Sequence, residues 1–166
     1  MPNSRVPFNV SALVERSTSG PCFICEFLRG NPDYGHVAVG ETESAIAFLS
    51  RYPTLFGYVI VAPKQHREQV TGDFSAAEYL ELQRFIFRVA EATRLVLSPE
   101  RVYILSLGSQ IANAHVHWHV APLPSGVPLE QQQYHALMHE NGVLNVSHEE
   151  QVVLAEKLRG HIDHAA

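Results

Sequence analysis

An α+β fold with a largely antiparallel sheet follows from three features of the 166-residue sequence. Extended apolar runs come first and return after Pro99. One long amphipathic helix separates the two groups, and the tail beyond Pro124 reads as further helices. The count is about five strands, one long helix and C-terminal helices. The length suits one domain with a substantial core.

The first 20 residues, MPNSRVPFNVSALVERSTSG, contain Ser, Asn and Pro and predict a loosely ordered lead-in. They also lack an apolar h-region, so a secretory signal is not expected and a cytoplasmic location is. After CFICEFLRGNPDYG, the stretch HVAVGETESAIAFLS holds two extended runs joined by a Gly-Glu-Thr-Glu turn. Tyr58 to Ala62 is an apolar run of buried-strand type, stopped by Pro63. Ser75-Ala76-Ala77-Glu78 has the form of a capping box and opens the clearest helix. Tyr79, Leu82, Phe85 or Ile86, Val89, and Leu95 or Val96 recur at helical spacing, opposite a charged face of Glu78, Glu81, Arg84, Arg88 and Glu91. Phe87 falls off the apolar stripe. Because the helix carries more aromatics than one small sheet needs, a partner surface is expected there, and with it a homodimer.

Pro99 ends that region, Arg101 to Leu105 reads as a strand, and the loop SLGSQIANA leads into NAHVHWHVAP. Beyond Pro124, a short helix is expected from Pro128 to His139, with Gly142 just past its end. Ser147-His148-Glu149-Glu150 then starts another helix reaching about His161. The resulting organisation is a lead-in (1–20), a domain (21–124) and a C-terminal helical extension packed on it (125–166). His135, His139, His148, His161 and His164 read as plain surface residues.

Composition narrows the function. The chain is 46% hydrophobic and 17% charged, with no run of about 18 apolar residues that would span a membrane. A formal net charge of −5 argues against binding a nucleic-acid polymer, though a small anion can still be held by local groups.

Two clusters carry chemistry. In a strand, His115, His117 and His119 share one face while Val116, Trp118 and Val120 share the other, which reads as the core side. Three imidazoles in register can ligate a metal, or one can act as nucleophile while its neighbours supply protons and charge. Imidazole suits phosphoryl chemistry, being nucleophilic when neutral near pH 7. The only two cysteines are Cys22 and Cys25. Read alone, the pair is either half of a metal site or two unremarkable small residues; a redox pair would want a βαβ context, which does not follow.

His115-Val116-His117-Trp118-His119 resembles the motif of the histidine triad (HIT) family of nucleotide hydrolases and transferases. AIAFLSRYPTLFGYVIVAPKQH is similar to that family's paired apolar strands with a Pro-Lys-x-His ending. CFICEFLRGNP is similar to the Cys-x-x-Cys start of its zinc-containing bacterial members. The resemblance runs from Cys22 to about Pro122 and includes the diadenosine polyphosphate hydrolases.

It implies a HIT-like fold, a homodimer, and removal of a nucleoside monophosphate (AMP above all) from a dinucleoside polyphosphate or nucleoside phosphoramidate. His117 would be the nucleophile and His119 its helper at the phosphate and leaving group, the latter in protonated form. Phe23, Ile24, Phe27 and Phe48 would form the apolar wall for the base. Ser50 stands where many members carry Asp or Asn for the ribose. Ile111-Ala112-Asn113 replaces the usual Gln-Ser/Thr-Val; Asn113 resembles the galactose-1-phosphate uridylyltransferases and some dinucleotide phosphorylases, and is expected on a phosphate oxygen beside loop N–H groups. A structural zinc would be held by Cys22, Cys25, His66 and His115, a closed tetrahedral set tying the N-terminal segment to two strands. The alternatives are a phosphorylase or nucleotidyltransferase, and a nucleotide-binding adaptor with little turnover.

Overall fold

The computed structural model describes residues 4–163. In chain order the elements are β1 (Arg5–Val6), α1 (Val10–Ser19), α2 (Phe23–Leu28), β2 (Ala38–Glu41), β3 (Ala45–Leu49) and β4 (Val59–Pro63). They continue with α3 (Ala76–Leu97), β5 (Arg101–Ser106), β6 (Trp118–Leu123), α4 (Tyr134–Leu137), β7 (Val143–Leu144) and α5 (His148–Ile162). Five strands make one antiparallel sheet in the order β2-β3-β4-β6-β5, and β1 pairs separately with β7. This is the expected α+β architecture of five antiparallel strands, one long helix and C-terminal helices.

Every residue of β3 and β4 is buried, because both faces of the sheet are covered. On one face Ala47, Val59, Val61, Trp118 and Val120 pack against α3 and α5. On the other, Ile46, Phe48, Ile60, Ala62 and Ala121 pack against Ile24 of α2 and Leu55. Period-two alternation therefore appears in β6 as a choice between two cores rather than between core and water.

The capping box of α3 forms as read: Ser75 accepts from the Glu78 amide and the Glu78 carboxylate accepts from the Ser75 amide. Leu82, Phe85, Ile86 and Val89 are its buried stripe. Ser98 closes the helix in the left-handed conformation (φ 48°) just before Pro99. Ser147 and Glu150 build the same box at α5, whose Leu154, Leu158 and Ile162 are buried. Arg88 departs from the solvated face predicted for it. Its Nε and Nη2 donate to the Ile162 carbonyl at 3.0 and 2.6 Å, finishing the last turn of α5.

Three expectations need correction. The segment read as a loosely ordered lead-in forms β1 and α1; its first three residues lie outside those described. Asn9 caps α1 by accepting from the Ala12 amide at 3.0 Å. The helix buries no residue fully, although Val10, Leu13 and Val14 recur in it at helical spacing. Arg5 anchors the same segment by donating to the carbonyls of Thr54, Ala136 and Gly142. The helix expected from Pro128 to His139 shrinks to a 3-10 turn at Leu129–Gln131 and the four residues of α4, because Gln133 between them adopts a left-handed φ of 55°. Finally, the regular ladder of β6 begins only at Trp118; His115 and His117 lie on its irregular approach, where the Val116 amide donates to the Arg67 carbonyl at 2.7 Å. Among the described residues no helix is long and apolar enough to cross a membrane.

Candidate functional site

Cys22 and Cys25, His66, and His115 converge although they come from three separate stretches of chain. Their ligand atoms all lie within 4.8 Å of one another. Cys22 sits at the N-cap of α2, its Sγ accepting from the Cys25 amide, and one helical turn brings Cys25 alongside it. Pro63 ends β4 and the chain turns back, delivering His66. The Sγ···Nδ1 separations are 3.4 Å for Cys22–His115, 3.4 Å for Cys25–His66 and 3.6 Å for Cys25–His115. A tetrahedral zinc with ordinary bond lengths has S···N edges of about 3.6 Å. The remaining imidazole nitrogens face acceptors: His115 Nε2–H donates to the Pro63 carbonyl at 2.8 Å, and His66 Nε2–H to the Glu68 carboxylate at 3.1 Å. That pattern leaves both Nδ1 lone pairs aimed at the cluster, as second partners of metal-bound histidines do. The donor set and its spacing fit zinc.

His117 lies next door and is 4% exposed. Its Nδ1–H donates to the His115 carbonyl at 2.7 Å, which leaves Nε2 carrying the lone pair. The His117 and His119 rings are 4.8 Å apart, well inside two residues of extended strand. Burial lowers the proton affinity of His117, so the ring is neutral near pH 7. Burial, then the neighbouring His117 and His139, pushes His119 down to about 3. His119 is therefore neutral without substrate. Its Nε2 is buried with no hydrogen-bond partner.

A cavity of about 320 Å³ opens on His117 and His119. The loop before them is closed on itself. Ser109 and Ala112 exchange backbone hydrogen bonds at 3.0 and 3.3 Å, and the Ile111 amide donates to Ser109 Oγ at 3.1 Å. Those three N–H groups are spent internally, so the loop offers fewer amides to a phosphate than expected. Gly108 (φ +145°) lets the strand leave β5 against this turn; a Cβ there would sit 2.8 Å from the Asn113 carbonyl oxygen. Asn113 takes a left-handed φ of 56° and lines the cavity. Ser106 Oγ donates to the His117 carbonyl at 2.7 Å, tying the two sides of the loop.

Of the residues expected at the nucleotide, Phe23 and Ser50 line the cavity. Ile24, Phe27 and Phe48 do not. Ile24 and Phe48 are fully buried beneath the wall, and Phe27 stacks on Phe48 at 4.9 Å as part of the same foundation. The wall itself contains residues that sequence reasoning missed. Leu13, Arg16 and Thr18 enter from α1, and His36 from the segment before β2. His139, read as a surface residue, also lines it; Nε2–H donates to the Tyr52 carbonyl at 3.1 Å and the ring packs on Phe8. His135, His148 and His161 are exposed as expected, and His164 lies outside the described residues.

His36 is set among the rings of Phe23, Phe27 and Phe48 at 5.9, 5.3 and 4.7 Å. Burial drives it from its ordinary 6.5 to about 4. Because the folded value is the lower one, the unfolded chain takes up a proton first as pH falls below 6.5. Stability is then lost until the folded group titrates near 4. Near pH 5 the loss from His36 alone is about 2 kcal/mol. Denaturant unfolding should show a lower midpoint at about pH 5 than at pH 7, with a shallower drop in His36→Phe. An identical drop in that variant would remove His36 as a source.

With this geometry in view, the comparisons with known proteins agree. The HIT domain family model matches residues 32–125. The adenosine 5'-monophosphoramidase hnt1 of Schizosaccharomyces pombe is 32% identical over 109 residues, covering 63% of this chain and 75% of that one. Among solved structures, a hypothetical histidine triad nucleotide-binding protein from Sulfolobus tokodaii superposes with a TM-score of 0.68 at 20% identity, covering 86% of this chain and 93% of that one. A Zn-bound histidine triad family protein from Mycobacterium smegmatis gives 0.66 at 19% identity, covering 86% and 94%. The sequence motif, the sheet that carries it and the matched family model all lead to one assignment: this chain belongs to the HIT domain family.

Proposed function

We propose that the protein is a hydrolase that cuts a nucleoside monophosphate, AMP above all, from a dinucleoside polyphosphate or a nucleoside phosphoramidate. One observation carries the reading. His117 is held neutral with its Nδ1–H on the His115 carbonyl and its Nε2 free, beside a His119 whose buried Nε2 lacks any partner. The free lone pair forms a bond to the α-phosphorus as the bond to the leaving group breaks. A phosphate oxygen or leaving atom at His119 supplies the missing partner, and the phosphate's negative charge raises that imidazole's hold on a proton. Asn113 in the cavity wall is available to a further oxygen. Water then attacks phosphorus, breaks the P–N bond and releases the monophosphate. The hnt1 relative, an adenosine 5'-monophosphoramidase by name, supports the phosphoramidate arm.

The test is a panel of dinucleoside polyphosphates and adenylated amines assayed for AMP release, with and without added inorganic phosphate. Release in water alone is the expected result. Product that carries the added phosphate would move the reading to a phosphorylase, and nucleotide binding without release would move it to an adaptor.

Zinc bound by Cys22, Cys25, His66 and His115 belongs to the same proposal as a structural ion, supported by the donor spacing and by the Zn-bound relative. Bound there, it would brace the carbonyl of His115 that orients His117.

A symmetric homodimer is proposed through the β5 edge and the outer face of α3. β5 ends the sheet with Ile104 exposed, and an edge strand presents unpaired backbone groups. Leu80, Phe87 and Leu95 on α3 are exposed too, Phe87 by 57%. Light scattering at micromolar concentration should give twice the chain mass, and Phe87→Glu should shift it toward the single-chain value. A wild-type monomer rules the dimer out.

A further inference from the structure

Taken with the proposed function, the cavity wall points to a ligand that is more anionic than a nucleoside monophosphate. We infer that Arg16 and Arg51 form a subsite for a second phosphate group, beyond the one that His117 attacks. Both arginines line the cavity that holds His117 and His119. Arg16 reaches it from α1, outside the span matched by the family model, and Arg51 from the turn after β3.

Their guanidinium groups meet at a single atom: Arg16 Nη2 and Arg51 Nη1 donate to the Asp33 carbonyl at 2.8 and 2.7 Å. Each plane is backed by a ring, Arg16 by Tyr34 at 4.4 Å and Arg51 by Tyr52 at 5.8 Å from the centroid. One carbonyl cannot neutralise two cations brought together this way, and most of their N–H donors are left over. A phosphate is the group that matches them, with full negative charge and oxygens for forked donors on both sides.

The rest of the wall agrees in sign. Although the chain carries a net charge of −5, the residues lining this cavity include two arginines and no aspartate or glutamate among those described. A cleft of one sign concentrates the opposite charge within it. The absence of acids also leaves nothing in the wall to hold the two arginines away from the ligand.

A second phosphate can arrive in two ways, within a chain that continues from the first or on another position of the ribose. Calorimetric titration of the full-length protein with AMP, ADP and adenosine 3',5'-bisphosphate separates them. At least one of the two bisphosphates should bind about tenfold more tightly than AMP, and the one that does identifies the source. The ratio of bisphosphate to AMP affinity should fall as ionic strength rises. In the double variant Arg16→Gln, Arg51→Gln that ratio should drop to near one. Both side chains are exposed and α1 buries no residue fully, so the fold does not depend on them. AMP binding with no gain for either bisphosphate, or a gain that survives the double variant, overturns the subsite alone. Failure of AMP itself to bind overturns the proposed function and the subsite together.

Discussion

Replacement of His117 with alanine is expected to abolish AMP release, by roughly a thousandfold or more, while nucleotide binding and zinc content persist. The expectation rests on the division of labour among the three histidines. His115 is 1% exposed and its two nitrogens face the Cys pair and the Pro63 carbonyl, so it cannot attack. His119 has the free nitrogen but no carbonyl fixing its tautomer in the described structure. Only His117 combines a fixed Nδ1–H with an available Nε2. Replacing His119 instead should slow the reaction by about a hundredfold or more without preventing the adduct, because it assists rather than attacks. Rapid quenching followed by mass spectrometry should find a nucleotidyl mass on the peptide that contains His117. Turnover close to wild type in His117→Ala would assign the attack to another group.

The histidine row was legible because strand periodicity is short-range physics. Val116, Trp118 and Val120 must reach one core, and the alternate residues are then forced to the other side of the sheet. The long helix was legible for the same kind of reason, since Ser75 and Glu78 satisfy one another within four residues. What escaped depends on contacts remote in sequence. α1 carries only the short apolar repeat of Val10, Leu13 and Val14, and the segment that holds it is anchored by Arg5 on the distant carbonyls of Thr54, Ala136 and Gly142. His36 and His139 are single imidazoles with no pattern around them; only the packing of Phe23, Phe27 and Phe48 on one, and of Phe8 on the other, brings them to the site. Phe27 and Phe48 fail in the opposite direction. An apolar ring near a pocket can be its wall or its foundation, and which one it is depends on the layer above it.

Removal of the metal should be felt across the same layers. Purified protein is expected to carry about one zinc per chain, and a strong chelator should lower its melting temperature by roughly 10 °C or more, as loss of several kcal/mol does in a domain of this size. The Cys22–Cys25 pair, His66 and His115 belong to three parts of the chain, so without an ion they have little reason to stay together. Burial, with Cys22 adding to it, pushes the Cys25 thiol up to about 11. The metal-free Cys25 thiol is therefore protonated at neutral pH, and metal binding there must release its proton. Zinc occupancy should accordingly fall on acidification, as protons compete for thiolate and imidazole. Cys25→Ser provides the control: its melting temperature should already be low and should no longer respond to the chelator. Activity should fall in parallel, because the His115 carbonyl that orients His117 loses its brace. Zinc far below one per chain in carefully purified protein, with a melting temperature indifferent to the chelator, would show that the two cysteines and two histidines hold together by packing alone.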